Sequence, residues 1–187
     1  MKVLVAGAGI GGLTTALMLH ARGIPVQIYE TAAEVREAGV GINILPHAIR
    51  ELETLGLLPA LDVVGLRTRR LTYYTRSGQE VWSELRGTYA GHEVPQFSIH
   101  RGRLQHLLYK AVLDRLGPKA VQTGRRLGGF VQDDKGITAH FANSIDGSKG
   151  ITVRGDVLIC CDGIHSAGRK VFYPNEKSPS WNGVMMW

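Results

Sequence analysis

Cysteine is nearly absent from this chain. The two that occur, Cys160 and Cys161, are neighbours in the strand-like run VLICC. Adjacent strand residues point to opposite faces, so they read as small buried hydrophobes and not as a redox pair. No His/Cys spacing resembles a metal site, and no metal is expected. No apolar run approaches the roughly 18 residues of a membrane span, so no membrane partner is expected either. Internal repeats and low-complexity tracts are missing. Met1 stands two residues before the first apolar run, which leaves no room for a targeting segment and makes the expected location cytoplasmic. Acidic residues are also in deficit, at 16 against 22 Lys plus Arg, for a net charge of +6. The close basic pairs Arg69–Arg70 and Arg125–Arg126 have no aromatics interleaved. They read as solvated surface, and nucleic acid is not expected as a partner. Part of the excess suits anionic cofactors.

What is present is glycine at meaningful spacings and enough apolar sequence for a core: 44% of the 187 residues are hydrophobic. That length holds one domain, or one domain and part of another. Val3–Val5 suits a strand buried on both faces. Gly7, Gly9 and Gly12 follow in the G-x-G-x-x-G spacing. The first permits a tight turn, the second a close approach of pyrophosphate to the backbone, and the third close packing of helix on strand. Ala16, Leu17 and Leu19 give the helix a core side, and Gly23 is placed to end it. Val26, Ile28 and Tyr29 make a second strand with Glu30 at its tip, 18 residues beyond Gly12. A carboxylate there can accept hydrogen bonds from both hydroxyls of a ribose. Each contact is modest: the helix dipole contributes about 0.3–1 kcal/mol toward an anion, and hydrogen bonds to a charged group about 1.5–3 kcal/mol. Tight binding needs many of them.

Further along, GVGINI precedes a helix opened by Pro46 and closed by Gly56, with Ile49, Leu52 and Leu55 as its apolar stripe. The segment Leu71–Leu85 alternates around Ser77-Gly78 and reads as a hairpin, which needs a sheet outside the nucleotide fold. A helix is predicted over Arg101–Leu116, stopped by Gly117-Pro118. Two or three strands follow between Ala120 and Ala142, turning at Asp133–Gly136. A strand over Asp156–Cys161 then delivers Asp162-Gly163 to a short helix bearing Ser166 and Arg169. This places a carboxylate and free backbone N–H groups at a helix start, beside the crevice at the strand ends.

The fingerprint at Gly7–Gly12, the segment GVGINILPHAIRELETLGL, the run SIHRGRLQHLL and the motif CDGIHSAGR together resemble the FAD-dependent aromatic hydroxylases, the single-component flavoprotein monooxygenases. The resemblance extends along essentially the whole chain. The phrases AGAGIGGL, GVGINI and SIHRG resemble those of phenazine-hydroxylating members. The resemblance implies an α/β fold: a Rossmann-like FAD-binding domain with a parallel sheet, helices and a β-meander, plus a few strands of an incomplete substrate-domain sheet. The FAD domain is expected over residues 1–70 and 98–177, and parts of the substrate domain over 71–97 and 178–187.

Implied cofactor contacts are Gly7, Gly9, Ile10 and Gly12 at the pyrophosphate and Glu30 at the adenosine ribose. Arg36 would approach the phosphates, and Gly41 and Ile42 would pass beside the isoalloxazine or ribityl portion. Arg101 would contact FAD from its helix start, Leu127 would bracket the adenine, and Asp162 would lie near the cofactor in a motif also linked to NAD(P)H. Ser166 and Arg169 are expected to hold the local turn. The implied activity is hydroxylation of a small aromatic, phenazine-like substrate with FAD as cofactor and NAD(P)H and O2 as co-substrates. No nucleophile–base pair stands out. His100, His106 and His165 lie in segments explained by packing or capping, so no catalytic residue is assigned. The family's later G-D motif has no match here. The chain is therefore expected to be the N-terminal part of such an enzyme, binding FAD weakly and hydroxylating inefficiently alone. Two other readings stay open: an NAD-dependent dehydrogenase, and a truncated, non-catalytic nucleotide-binding module. The oligomeric state is not indicated.

Overall fold

The structure is a computed structural model that describes residues 1–36 and 39–184. In chain order it contains β1 (Val3–Ala6), α1 (Ile10–Ala21), β2 (Val26–Tyr29), β3 (Gly41–Ile44), α2 (Pro46–Thr54) and α3 (Leu58–Val64). Then come β4 (Gly65–Arg67), β5 (Arg70–Tyr74), β6 (Glu80–Leu85), β7 (Phe97–His100) and α4 (Arg101–Leu116). The last elements are β8 (Val121–Gln122), β9 (Arg125–Asp133), β10 (Gly136–Asn143), β11 (Ile151–Gly155), β12 (Val157–Cys160) and α5 (Ala167–Phe172). Two compact units result, Met1–Val35 with Ala111–Trp187, and Arg36–Lys110.

The first unit is built on a four-stranded parallel sheet in the order β12-β1-β2-β8. Strand β1 is central, pairing Val3 with both Val157 and Val26. All four of its residues are at most 2% exposed, as the uninterrupted apolar run requires. One face carries α1 through Leu13, Ala16 and Leu17. Leu19 is only half-buried. The antiparallel meander β9-β10-β11 supplies the other layer. There Leu4, Ala6 and Tyr29 pack with Leu127, Ile137, Ala139 and Phe141. Tyr29 stacks on Phe141 with ring centroids 4.1 Å apart, and burial pushes its phenol above the ordinary value. The turn between β9 and β10 is pinned by Asp133, whose carboxylate accepts from the Lys135 amide at 2.8 Å and from Arg154.

The second unit holds the antiparallel sheet β3-β7-β4 and the separate hairpin β5-β6. Ile49, Leu52 and Leu55 are buried, so the stripe read from the sequence is the core face of α2. Phe97, Ile99, Leu61, Leu104 and Leu108 are buried as well. The hairpin exposes Tyr73, Tyr74, Val81 and Trp82. Helix α4 occupies the interval expected from its apolar periodicity and its Gly117-Pro118 stop. After α5, residues 175–184 form neither helix nor strand. Of residues 178–187, expected in the substrate domain, 185–187 lie outside the described residues. Among the described residues no helix is long and apolar enough to cross a membrane, and no group of His, Cys, Asp and Glu could hold a metal ion.

Candidate functional site

Strands β1, β2 and β12 are parallel neighbours, so their carboxyl ends open on the same edge of the sheet. The strand order turns back at β1, which leads through α1 to β2 on one side and has the late strand β12 on the other. A crevice is expected where connections diverge in this way. A cavity of about 330 Å³ lies there, within the roughly 300–1,000 Å³ range of small-molecule sites. Its walls come from the residues following each strand: Gly7 and Gly9 after β1, Glu30 and Thr31 after β2, and Cys161, Asp162 and Gly163 after β12. Arg126 and Leu127 of β9, with His165 and Ala167, close it.

The glycines have separate causes. Gly7 has φ +104°, and a Cβ there would lie 2.3 Å from the Cys161 carbonyl oxygen. A Cβ on Gly12 would lie 1.9 Å from the Gly7 carbonyl oxygen. Both positions are thus closed to side chains by the protein itself. Gly9 is different: its backbone is ordinary, with φ −73° and ψ 178°, and a Cβ would meet no atom of the described residues within 4 Å. The protein does not demand glycine there, so the residue leaves room for something that is not protein.

Gly9 also caps α1, with no side-chain cap and no acid in the first turn. The first intrahelical bond runs from Leu13 N–H to the Gly9 carbonyl at 3.0 Å. The amides of Ile10, Gly11 and Gly12 therefore precede it without an intrahelical acceptor. Together with the helix dipole they form a place for an anion. The donor set fits a pyrophosphate.

Glu30 is held at the tip of β2. Its carboxylate accepts from the Ala8 amide at 2.6 Å and from the Ala32 amide at 2.7 Å. Each oxygen keeps a lone pair for a further donor, which fits the two hydroxyls of a ribose. These amide bonds tie the glycine turn to the β2 loop, so Glu30 has a structural duty that its position in the sequence did not disclose.

Asp162 corrects one expectation. The N–H groups at the start of α5 are not free, because the Asp162 carboxylate occupies them. It accepts from Ala167 N–H at 2.6 Å, Gly168 N–H at 3.2 Å and the Ser166 hydroxyl at 2.5 Å. Ser166 in turn accepts from Arg169 N–H at 2.9 Å, and the Arg169 guanidinium pairs with Glu176. Ser166 and Arg169 hold the local turn, as expected. Asp162 forms the cavity wall while stabilising its own loop.

Cys160 and Cys161 are half-buried, not fully buried. Cys160 packs against Gly168, where an added Cβ would lie 2.3 Å from its sulfur. Burial, followed by the charges of Asp162 and Cys161, pushes the Cys160 thiol up to about 11. Burial also raises Cys161, partly offset by a hydrogen bond with Thr15 and reinforced by Asp162. The raised value means less thiolate at any pH below it. Alkylation of Cys160 at pH 8 should therefore run about a hundredfold slower than that of an ordinary cysteine, measured by peptide mass mapping. Labelling at the free-thiol rate would contradict this environment.

Of the residues expected at the site, Gly7, Gly9, Glu30, Leu127 and Asp162 line one cavity. The Leu127 side chain is 4% exposed and sits in the core. Gly12 lies behind the turn, and Ile10 opens α1. Arg36, Gly41, Ile42 and Arg101 belong to the second unit. There Gly41 and Ile42 pair with His100 and Ile99, and Arg36 is exposed. Arg101 donates its amide to the Val40 carbonyl at 3.0 Å and lays its side chain along Gly39. Arg126 and His165 were missed as cavity residues. The only available signal was their nearness to Leu127 and Asp162 in the chain.

A strand–glycine turn–helix, an acid at the next strand tip and a late strand returning beside the first define a dinucleotide-binding α/β protein. The FAD binding domain family matches residues 1–178, and the chain belongs to that family. It is similar to phenazine 1,6-dicarboxylic acid hydroxylase of Lysobacter antibioticus, with 44% identity over 186 residues, covering 99% of this chain and 46% of the relative. A FAD-dependent urate hydroxylase of Klebsiella pneumoniae is 31% identical over 205 residues, covering 99% and 48% respectively. A Klebsiella pneumoniae protein solved in complex with FAD and uric acid superposes with a TM-score of 0.74 at 30% identity, over 91% of this chain and 41% of that one. The chain thus spans just under half the length of these relatives.

Proposed function

We propose that this chain is the FAD-binding part of a flavin-dependent monooxygenase that hydroxylates a small aromatic, phenazine-like substrate with NAD(P)H and O2. The observation that carries the reading is Gly9, a glycine that no atom of the protein requires, at an uncapped helix start beside Glu30. The Ile10 and Gly11 amides receive the pyrophosphate, Glu30 accepts from the ribose hydroxyls, and Leu127 borders the base. Asp162 shapes the wall between them. Arg36, Gly41, Ile42 and Arg101 are proposed as further cofactor contacts on the family resemblance alone. The substrate class rests on the similarity to the phenazine and urate hydroxylases. The cytoplasm is the proposed location.

FAD, once bound, supplies the redox chemistry that places an oxygen atom on an aromatic ring. The chain's own share is to bind and orient. The parallel sheet fixes the strand ends, the uncapped helix start neutralises phosphate charge, and the Glu30 carboxylate sets the position of the ribose.

Titration of the purified chain with FAD, followed by flavin fluorescence, should give saturable binding that ADP reverses. A dehydrogenase using the same fingerprint would bind NAD in preference to FAD. Absence of any ADP-competable FAD binding would remove the proposal.

A further inference from the structure

The cavity after β1, β2 and β12 has two carboxylates in its wall, and both already accept hydrogen bonds from the protein. Glu30 accepts from two amides, and Asp162 accepts from two amides and a hydroxyl. Among the described residues Arg126 is the only lysine or arginine in that wall. It is exposed, and its guanidinium makes no ion pair or hydrogen bond among the described residues. Arg154 of the same meander is paired with Asp133, and Arg169 beyond the cavity is paired with Glu176. An unpaired guanidinium over a nucleotide cavity is available for a ligand.

Its place in the crevice selects which part of the ligand. The Arg125 amide bonds to the Glu30 carbonyl at 2.7 Å, and the Glu30 amide to the Gln122 carbonyl at 2.9 Å. The start of β9 therefore runs beside the tip of β2. A nucleotide with its pyrophosphate at Gly9 and its ribose at Glu30 continues, past Glu30, toward Thr31, Arg126 and Leu127. The group that arrives there is the base. Leu127 offers no side-chain face, since it is buried among Tyr29 and Phe141. We propose that Arg126 lays its guanidinium plane on the adenine ring, making it the adenine-holding side chain of the cofactor site. This rests on the nucleotide reading above. A guanidinium stacks on aromatic faces, whereas an ammonium is a hydrated point charge without a plane.

Three titrations of the 187-residue chain separate the possibilities: ADP, adenosine and ADP in added salt, each read by calorimetry or ligand-observed NMR. Stacking predicts that Arg126→Ala weakens ADP and adenosine equally, by about three- to thirtyfold. Arg126→Lys should restore little, and the loss should be nearly independent of salt. Because Arg126 is exposed, circular dichroism melting should stay at the wild-type temperature. A loss confined to ADP, recovered by lysine and erased by salt, would assign Arg126 to phosphate and overturn the proposal. Unchanged affinity in Arg126→Ala would overturn it as well, while leaving the cofactor reading intact. A wild-type chain that binds neither ADP nor FAD would remove both.

Discussion

Gly12→Ala should be among the most destabilising single changes in the first unit, even though alanine is the better helix former. In a free helix the exchange would gain about 1 kcal/mol. Here the new Cβ would lie 1.9 Å from the Gly7 carbonyl oxygen and 3.3 Å from Val5 Cγ1. The oxygen belongs to backbone, so no side chain can rotate away. Helix α1 must lift from β1, which opens the layer formed by Leu13, Ala16 and Leu17 over a strand at most 2% exposed. Overpacking of this kind costs about 1–3 kcal/mol, occasionally more. Thermal unfolding should show Tm lower by roughly 2–12 °C for a chain of this size. Gly7→Ala should behave similarly for two reasons at once, a Cβ 2.3 Å from the Cys161 carbonyl and φ at +104°, the latter alone worth about 1–3 kcal/mol. A Gly12→Ala protein that melts at or above the wild-type temperature would mean that α1 does not sit as close to β1 as described.

Gly9→Ala should do the reverse, sparing the fold and damaging the site. At φ −73° any residue fits, and nothing stands within 4 Å of the added methyl. Loss of glycine at the cap position changes stability by less than about 1 kcal/mol. The methyl enters the space through which an anion would reach the amides of Ile10 and Gly11. Hydrogen bonds to a charged group are worth about 1.5–3 kcal/mol, so FAD and ADP affinity should fall about ten- to a hundredfold. Unfolding and titration on the same sample test the split. Unchanged nucleotide affinity would show that the ligand does not pass over Gly9, and would move the anion site elsewhere.

These two predictions differ although both glycines belong to one sequence motif. The spacing of Gly7, Gly9 and Gly12 announces a turn, a helix and a ligand. It does not say which glycine answers to the protein and which to the cofactor. That distinction needs the distance from each Cα to its surroundings, and those surroundings include Cys161, about 150 residues away in the chain.

The same division runs through the rest of the molecule. The β1–α1–β2 unit, the hairpin β5-β6 and helix α4 were legible because their signals are local: alternation, helical periodicity, and Gly or Pro at the ends. The partners of those elements were not. Strand β12 joins β1 through Ala6 and Cys160, and β3 joins β7 through Ile42 and Ile99. Nothing local to either strand names its mate.

Local order along the chain determined which residues could make strand, helix, turn and acid tip, because backbone preference and side-chain periodicity act over a few residues. The tertiary structure alone decided that Glu30 braces Ala8 and Ala32, that Asp162 caps α5 and occupies the amides there, and that Arg126 stands beside the crevice with no partner among the described residues. Hydrogen bonds and open space are relations between segments. They come into being only when the sheet brings distant strand ends together.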